Sequence, residues 1–341
     1  THCISSAASD VYKRQTLPHE RLSPRADTVA HRLTTLRRLA HPEDGPPVRV
    51  LLMPVRSLLQ PIAQGLGDLR PVHAQVGEEH PLEQLEQELV DAAYVRVDMV
   101  EKRGEFAVRG GILDVFPPTE PHPVRVDLFG DEIDEIRWFS VADQRSLDPV
   151  PHGLRAPACR EILLSPAVRE RAAARAEELP GVRDMLERIA AGIAVEGMES
   201  LSPVLVDRME QVSDALPDGA RFLVIDPEKT RARAAELVAT TDEFLAAAWS
   251  SAAAGGGLPI DVGAASFIPL PDARDHARAG GRAWITLGSF GLDDVADVTG
   301  RVRAHPGYSG RPGDAAKDLE AHRRDGWRIV ATMVGAGGAR H

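Results

Sequence analysis

The sequence predicts an α/β protein in which a parallel α/β pattern is interrupted by an antiparallel β-rich (α+β) domain. Helical segments and short apolar, strand-like segments alternate towards both ends of the chain, which is typical of parallel α/β domains. Between Tyr94 and Ser140 the apolar residues instead recur with period two and are separated by glycine and proline. These patterns indicate two kinds of structure within one chain.

The first fifteen residues fit neither pattern. Residues 1–15 show no periodicity, and their sequence resembles translated sequencing-adapter read-through. We interpret this stretch as a non-native segment and exclude it from the fold. The natural sequence is then expected to begin at Thr16, inside a domain whose start is missing.

A parallel α/β pattern follows this segment. Apolar residues keep helical spacing over Asp27–Leu39, and Ser23 stands before them as a start signal. Val48–Met53 is predicted to form a short buried strand, and Ser57–Leu66 a second helix. The order helix, strand, helix is the pattern of a parallel α/β domain.

The β-rich part has the strongest patterning. A helix is predicted immediately before Tyr94, because leucines recur there at helical spacing. Alternation and turn residues then predict an antiparallel meander. Its strands are expected at Tyr94–Val100, Glu105–Arg109, Gly111–Phe116, Val124–Phe129 and Glu132–Phe139.

Helical and strand-like segments return after Ser165. A glycine-rich loop is expected at Gly255–Gly257 and a linker at Gly300–Gly313. The last predicted strand has no partner, so the C-terminus is also expected to be cut. The predicted helices are Val168–Glu178, Val182–Ile193, Arg231–Trp249 and Asp314–Arg324, and the predicted strands are Arg221–Ile225, which is expected to be buried, Trp284–Leu287 and Trp327–Val334.

The composition of the 341 residues is that of a multi-domain globular protein, with 43% hydrophobic and 27% charged residues. The formal net charge of −11 argues against a general polyanion binder. Two cysteines provide neither a disulfide framework nor a metal knuckle. No apolar run reaches the roughly 18 residues of a membrane span. We therefore expect a soluble, cytoplasmic protein with no membrane contact.

The lysines exclude a phosphate-binding loop in this chain. Such a loop places lysine directly after glycine, so that backbone amides and one ammonium group hold the phosphates. None of the four lysines, Lys13, Lys102, Lys229 and Lys317, follows a glycine. We predict no nucleotide site here.

Other catalytic constellations are also weak. The Gly-x-Ser-x-Gly and His-x-x-x-His patterns do not occur, and Cys159 has no histidine near it in sequence. The acidic run over Gly130–Glu135 is interpreted as the charged face of a hairpin rather than a general acid/base pair. No catalytic residue, metal ligand or cofactor-binding residue is predicted for this chain.

One sheet face carries an unusual set of side chains. Alternation sends Arg125 and Phe129 to the face opposite the apolar residues of their strand, and Arg109 to the outer face of its own strand. Arginine and aromatic residues dominate binding hot spots. An interaction patch is one interpretation. The alternative is that a bulge at Gly130 turns Phe129 inward, while the arginines only solvate the edge.

The meander resembles a known module. Lys102–Pro118 reads KRGEFAVRGGILDVFPP, and His122–Ile133 reads HPVRVDLFGDEI. Both are similar to the UvrB-homology module, which the excision-repair protein UvrB shares with transcription-repair coupling factors (the Mfd family). Three further segments, Thr16–Pro24, Asp143–Ser146 and Gly192–Glu199, favour the N-terminal region of the transcription-repair coupling factors.

This resemblance implies a degenerate helicase-like α/β domain that is split by an inserted UvrA-binding domain. Residues 16–71 would be the end of the first half and 72–157 the inserted β-rich domain. Residues 158–299 would be the second half, and 300–341 a linker with the truncated start of the next α/β domain.

The resemblance also implies a function. The chain would recruit UvrA to stalled RNA polymerase through Arg109, Arg125 and Phe129. The resemblance also implies that this surface is masked in the resting full-length protein and exposed upon engagement of stalled polymerase. RNA polymerase, double-stranded DNA, ATP and Mg²⁺ would bind to domains missing from this chain, where the parent acts as a DNA translocase. Arg125→Ala or Phe129→Ala is expected to abolish UvrA binding without changing the melting curve. The alternative is a UvrB-like DNA-binding module, against which the net charge argues.

Overall fold

The computed structural model describes residues 23–45, 47–253, 266–288 and 312–327. The chain forms two compact units, Thr1–Ser289 and Phe290–His341. The described part of the second unit contains one helix. The expected non-native segment, the loop Gly255–Gly257, the linker Gly300–Gly313 before Pro312 and the strand Trp327–Val334 beyond Trp327 lie outside the described residues.

The described chain contains a run of consecutive strands in its β-rich part, with helices and shorter strands on either side. The helices are α1 Ala26–Ala40, α2 Val55–Leu59, α3 Leu82–Asp91, α4 Pro166–Arg175, α5 Arg183–Ala190, α6 Ser202–Leu205, α7 Pro227–Ala253, α8 Leu270–Ala279 and α9 Pro312–Arg324. The strands are β1 Ile62–Ala63, β2 Val72–Ala74, β3 Val95–Arg96, β4 Glu105–Arg109, β5 Ile112–Val115, β6 Val124–Phe129, β7 Glu132–Phe139, β8 Ser146–Pro149, β9 Leu154–Ala156, β10 Met209–Glu210, β11 Arg221–Ile225 and β12 Ala283–Leu287.

Six strands, β3 to β8, form the main sheet in chain order. Neighbours pair antiparallel except β3, which pairs parallel to β4. The predicted antiparallel strand Tyr94–Val100 is therefore wrong in direction, and only Val95–Arg96 is strand. Parallel neighbours need a crossover, and Val97 and Val100 of that crossover pack on Ala107 and its apolar neighbours instead of extending the strand.

The two faces of this sheet pack differently. One face belongs to the main core, to which Phe106, Leu113 and Val126 of the strands and Leu85 and Leu89 of α3 contribute. The other face has a small separate cluster of Val100, Ala107, Phe116 and Phe139 near one end. The remainder of that face carries polar and charged side chains together with the exposed residues Ile112 and Phe129.

A short antiparallel pair, β2 with β9, joins the segments that lead into and out of the β-rich part. Gly153 precedes β9 with a φ of +69°, and a Cβ there would lie 2.4 Å from the carbonyl oxygen of Ala74. Only glycine fits this close approach. The pair brings residues 72–74 and 154–156 side by side, so the β-rich segment starts and ends at one place.

The α/β regions confirm some predicted elements and correct others. The helices α1, α4 and α5 lie where apolar spacing predicts them, and Ser165 caps α4 through the backbone amide of Val168. Val48–Met53, predicted as a buried strand, is unpaired among the described residues and exposes Val50 and Leu52. An apolar run forms a strand only where a partner strand is available.

Two further predictions need correction. The helix expected over Ser57–Leu66 ends at Leu59, because Ile62–Ala63 pairs with Met209–Glu210 far along the chain. The strand Arg221–Ile225 is present and pairs parallel to β12, but it is buried on one face alone. Phe222 and Trp284 stack on the covered face with ring centroids 5.1 Å apart, whereas the opposite face is exposed.

Candidate protein-binding surface

The strand register places all three predicted site residues on one face of the main sheet. Arg109 pairs with Ile112, and Ile112 pairs with Asp127, which lies two residues from both Arg125 and Phe129 on β6. Directly paired residues of antiparallel strands point to the same face. The structure therefore places Arg109, Arg125 and Phe129 on the face that alternation predicts, opposite the apolar core face of the sheet.

A bulge in the β6–β7 hairpin preserves this arrangement. Asp127 pairs with Glu135 but Leu128 pairs with Ile133, so the extra residue Asp134 is left unpaired. The bulge keeps Leu128 and Ile133 on the core side and leaves Phe129 on the opposite side, 85% exposed. The alternative in which a bulge at Gly130 turns the ring inward is wrong.

Two hairpin turns bring Arg109 and Phe129 to the same end of the sheet. Gly110 and Gly130 occupy these turns with φ values of +59° and +64°. The amide of Leu128 donates to the carbonyl of Gly111 at 2.8 Å, which joins the two hairpins side by side. Sheet spacings then place the Cα atoms of Arg109 and Phe129 about 12 Å apart.

Arg109 is an exposed residue at the end of β4. Its Nη2 donates to the backbone carbonyl of Asp98 at 2.5 Å, in the crossover that covers part of the sheet face. This contact to a neutral acceptor orients the side chain, and no carboxylate of the described residues forms an ion pair with Arg109. Arg109 can therefore donate hydrogen bonds to a carboxylate of a partner.

Arg125 has a different environment, because its charge is already paired. Its Nε and Nη2 donate to the two carboxylate oxygens of Asp114 at 2.7 and 2.8 Å. The Arg125 side chain is 17% exposed and that of Asp114 is 4% exposed. The hydrogen bonds to Asp114 raise the pKa of Arg125 further above its ordinary value. Arg125 thus lies at the inner edge of the surface rather than on its open part.

Two residues of this surface were missed in the sequence. Ile112 is 36% exposed and lies between Arg109 and Asp127 in the register. Asp114 is buried on the same face, opposite Arg125. Alternation within Ile112–Val115 carries the signal for both, since it places an isoleucine and an aspartate on the face opposite Leu113.

Other candidate chemistry among the described residues is limited. Burial raises the pKa of the Cys159 thiol to about 12, which agrees with its interpretation as a packing residue. Asp131, Glu132 and Asp134 of the acidic hairpin are exposed, as a solvated face requires. Across the parts of the chain that the structure describes, no cluster of histidine, cysteine or carboxylate side chains could hold a metal ion, and no helix is long and apolar enough to cross a bilayer.

The fold and this surface define a class of protein. A sheet that buries one face in the core and, on the other, exposes a phenyl ring and an arginine without an ion-pair partner in the described part of the chain is typical of a protein–protein interaction module. The family model described as the UvrB interaction domain matches residues 72–158, the segment that contains this sheet.

Comparison with known proteins gives the particular family. The chain is 48% identical over 347 aligned residues to the transcription-repair-coupling factor of Mycobacterium bovis, covering 95% of this chain and 28% of the relative. The transcription-repair-coupling factor of Myxococcus xanthus is 35% identical, and the alignment covers 66% of this chain and 19% of the relative. The factor of Escherichia coli is 38% identical, and the alignment covers 40% of this chain and 12% of the relative. The resemblance to the N-terminal UvrB-homology region of the transcription-repair-coupling factors is therefore confirmed.

Proposed function

We propose that this chain recruits UvrA to stalled RNA polymerase in transcription-coupled nucleotide excision repair, through the sheet face of Arg109, Arg125 and Phe129. The observation that carries the proposal is the ring of Phe129, 85% exposed at the end of a strand whose other side is core. The name of the matching domain and the names of the relatives support the same assignment.

The chemistry of the surface indicates what the partner offers. Phe129 and Ile112 present apolar area, and Arg109 adds a positive charge beside them. A complementary surface has an apolar pocket with carboxylates at its border. Such contacts between two proteins are confined to a few side chains, which carry most of the binding free energy.

The wider arrangement belongs to the same proposal. Residues 16–71 and 158–299 form the two halves of a helicase-like α/β domain, and residues 72–157 are inserted between them. The parallel pair β11–β12, with helices α7 and α8 between the two strands in the chain, supports an α/β architecture for the second half. ATP-driven translocation on DNA and binding of RNA polymerase belong to other parts of a cytoplasmic parent protein.

Replacement of Phe129 tests the proposal. Phe129→Ala is expected to weaken binding of purified UvrA at least about thirtyfold, the range of a hot-spot residue. The melting temperature is expected to stay unchanged, because the ring is solvent-exposed. Affinity is measured by isothermal titration calorimetry, and folding by circular dichroism.

Two matched controls lie in the same β-rich part of the chain. Val95→Ala removes an exposed apolar side chain from β3, and Arg145→Ala removes an exposed arginine from the loop before β8. Both are expected to keep wild-type affinity, whereas Arg109→Ala is expected to weaken it. Wild-type affinity of a folded Phe129→Ala protein refutes the proposal. Binding of duplex DNA that is steeply salt-dependent and insensitive to Phe129→Ala supports the UvrB-like alternative.

A further inference from the structure

Three groups from separate parts of the sheet enclose the guanidinium of Arg125. The carboxylate of Asp114 on β5 accepts two hydrogen bonds in the guanidinium plane, at 2.7 and 2.8 Å. The ring of Phe139 on β7 lies under the guanidinium, with its centroid 4.8 Å from the Cζ atom. The carbonyl of Gln144 accepts a hydrogen bond from Nη1 at 3.3 Å. The side chain is therefore ordered before any partner binds.

The hydrogen-bond inventory of Arg125 is not exhausted by these contacts. A guanidinium carries five N–H donors. Asp114 accepts from Nε and Nη2, and the carbonyl of Gln144 accepts from Nη1. Two N–H groups then have no acceptor among the described residues, on a side chain that is still 17% exposed. A carboxylate from another protein is the acceptor that suits two donors of one guanidinium.

The backbone that supplies the third contact is itself held in an unusual conformation. Gln144 has a φ of +59°, in the left-handed region of backbone conformation that residues other than glycine rarely adopt. Its amide donates to the carbonyl of Ser140 at 2.8 Å, and its side chain donates to the carbonyl of Val141 at 3.0 Å. These bonds fix the loop that directs the Gln144 carbonyl at Arg125.

We infer that Asp114 is a positioning residue for the UvrA contact: it holds Arg125 on the sheet face so that the two remaining N–H groups meet a carboxylate of the partner. The inference rests on the proposed function. Asp114 is buried and acts only through Arg125. Because the guanidinium is already immobilised, binding does not incur the loss of its rotamer freedom.

A double-mutant cycle tests this role. The proteins are the wild-type chain, Asp114→Asn, Arg125→Met and the variant with both changes, titrated with purified UvrA at a temperature at which circular dichroism shows each to be folded. In the protein that retains Arg125, Asp114→Asn is expected to weaken UvrA binding roughly three- to tenfold. This loss corresponds to the cost of ordering one long side chain on binding. In the Arg125→Met background the same change is expected to have no effect on affinity.

The outcomes separate this inference from the proposed function. An equal loss from Asp114→Asn in both backgrounds overturns the positioning role, because a structural effect does not depend on Arg125. Unchanged affinity of Asp114→Asn in the wild-type background overturns it too. If Phe129→Ala fails to weaken binding, the proposed function fails; if Phe129→Ala weakens it and Asp114→Asn does not, only the role of Asp114 fails.

A second cycle covers the case in which Asp114→Asn does not fold. Phe139→Leu removes the ring from beneath the guanidinium while an apolar side chain still fills the cluster with Ala107 and Phe116. We expect Phe139→Leu to weaken UvrA binding by the protein that retains Arg125. In the protein that carries Arg125→Met, Phe139→Leu is expected to leave the affinity for UvrA unchanged. Equal losses in the two backgrounds again exclude preorganisation of Arg125.

Discussion

Arg109 and Arg125 share a residue type and a sheet face but differ in the charges that surround them. Arg109 donates to a backbone carbonyl, whereas Arg125 pairs with a carboxylate that is 4% exposed. Loss of a surface arginine has little effect on stability. Loss of one member of a buried pair leaves the other charge uncompensated. We therefore revise the expectation that truncation of Arg125 leaves the melting curve unchanged.

At the residue scale, Arg125→Ala is expected to lower the free energy of unfolding by about 3 kcal/mol, since Asp114 then stays buried without its counter-charge. Arg109→Ala is expected to change it by less than about 0.5 kcal/mol. Urea denaturation followed by circular dichroism measures both variants against the wild type. Equal stability of Arg125→Ala and Arg109→Ala contradicts a structural role for the Asp114–Arg125 pair.

The sequence predicts the direction of these side chains but not their neighbours. Alternation along β6 is sufficient to place Arg125 and Phe129 on one face. The partner of Arg125 depends on the register between β5 and β6, which places Asp114 opposite it. Register is set by turn geometry and by core packing together, and one strand read alone contains neither. Alternation along β5 indicates the face of Asp114, but its pairing with Arg125 could not be predicted without the register.

At the element scale, the proposed binding surface depends on how two hairpins pack side by side. The β4–β5 turn and the end of β6 are joined by the hydrogen bond from the amide of Leu128 to the carbonyl of Gly111. A Cβ at Gly111 would lie 2.8 Å from the carbonyl oxygen of Leu128. The carbonyl of Leu128 belongs to the backbone and cannot move away as a flexible side chain can. The contact therefore requires a residue without a Cβ atom, which is glycine.

Gly111→Ala is expected to destabilise the protein by about 1–3 kcal/mol, the cost of forcing an extra carbon into a packed site. It is also expected to weaken UvrA binding, because it separates the hairpins that carry Arg109 and Phe129. Gly110→Asn is the matched control: its φ is +59°, which asparagine tolerates, and no atom lies within 4 Å of an added Cβ. Thermal melting and calorimetric titration measure the two effects, and equal behaviour of the two variants contradicts this role for Gly111.

Elements with a strong local pattern were predicted well, and those that depend on distant partners were not. The bounds of β4, β6, β7 and β11 coincide with the predicted strands. The segment 57–66 contains helical spacing, yet β1 forms there because β10 is available some 150 residues later. The unpaired run Val48–Met53 shows the opposite case, in which strand-forming residues lack a partner among the described residues.

Contacts across long stretches of sequence also hold the molecule together at its largest scale. The hydroxyl group of Ser23, just before α1, donates to Glu199 at 2.6 Å, and the guanidinium of Arg160 donates to the other carboxylate oxygen at 3.3 Å. Arg160 also donates to the carbonyl of Val195 at 3.0 Å. Glu199 therefore connects three segments that lie on both sides of the β-rich part in the sequence.

The charge of Glu199 makes this connection depend on pH. The side chain is 11% exposed, and burial raises its pKa above the ordinary value of 4.5, although Arg160 and Ser23 act in the opposite direction. A carboxyl group whose pKa is raised by folding binds its proton more tightly in the folded state than in the unfolded chain. Its contribution to stability is fully present below the unfolded pKa and is lost as the pH rises through the folded pKa.

Glu199→Gln removes this titration and keeps a side chain of the same shape that can still accept a hydrogen bond from Ser23. As the pH rises from 4.5 through the raised pKa of Glu199, the free energy of unfolding of the wild type is expected to fall relative to that of Glu199→Gln. The difference is expected to become constant above that range. Urea denaturation of both proteins at intervals between pH 4 and pH 8 measures it. The amide has one acceptor oxygen where the carboxylate has two, so Glu199→Gln loses the hydrogen bond from either Ser23 or Arg160, and this loss changes the free energy of unfolding by an amount that does not depend on pH. Only the part of the difference that changes with pH reports the titration of Glu199. A difference that is the same at every pH therefore assigns Glu199 an ordinary pKa and removes desolvation as the dominant effect at this junction.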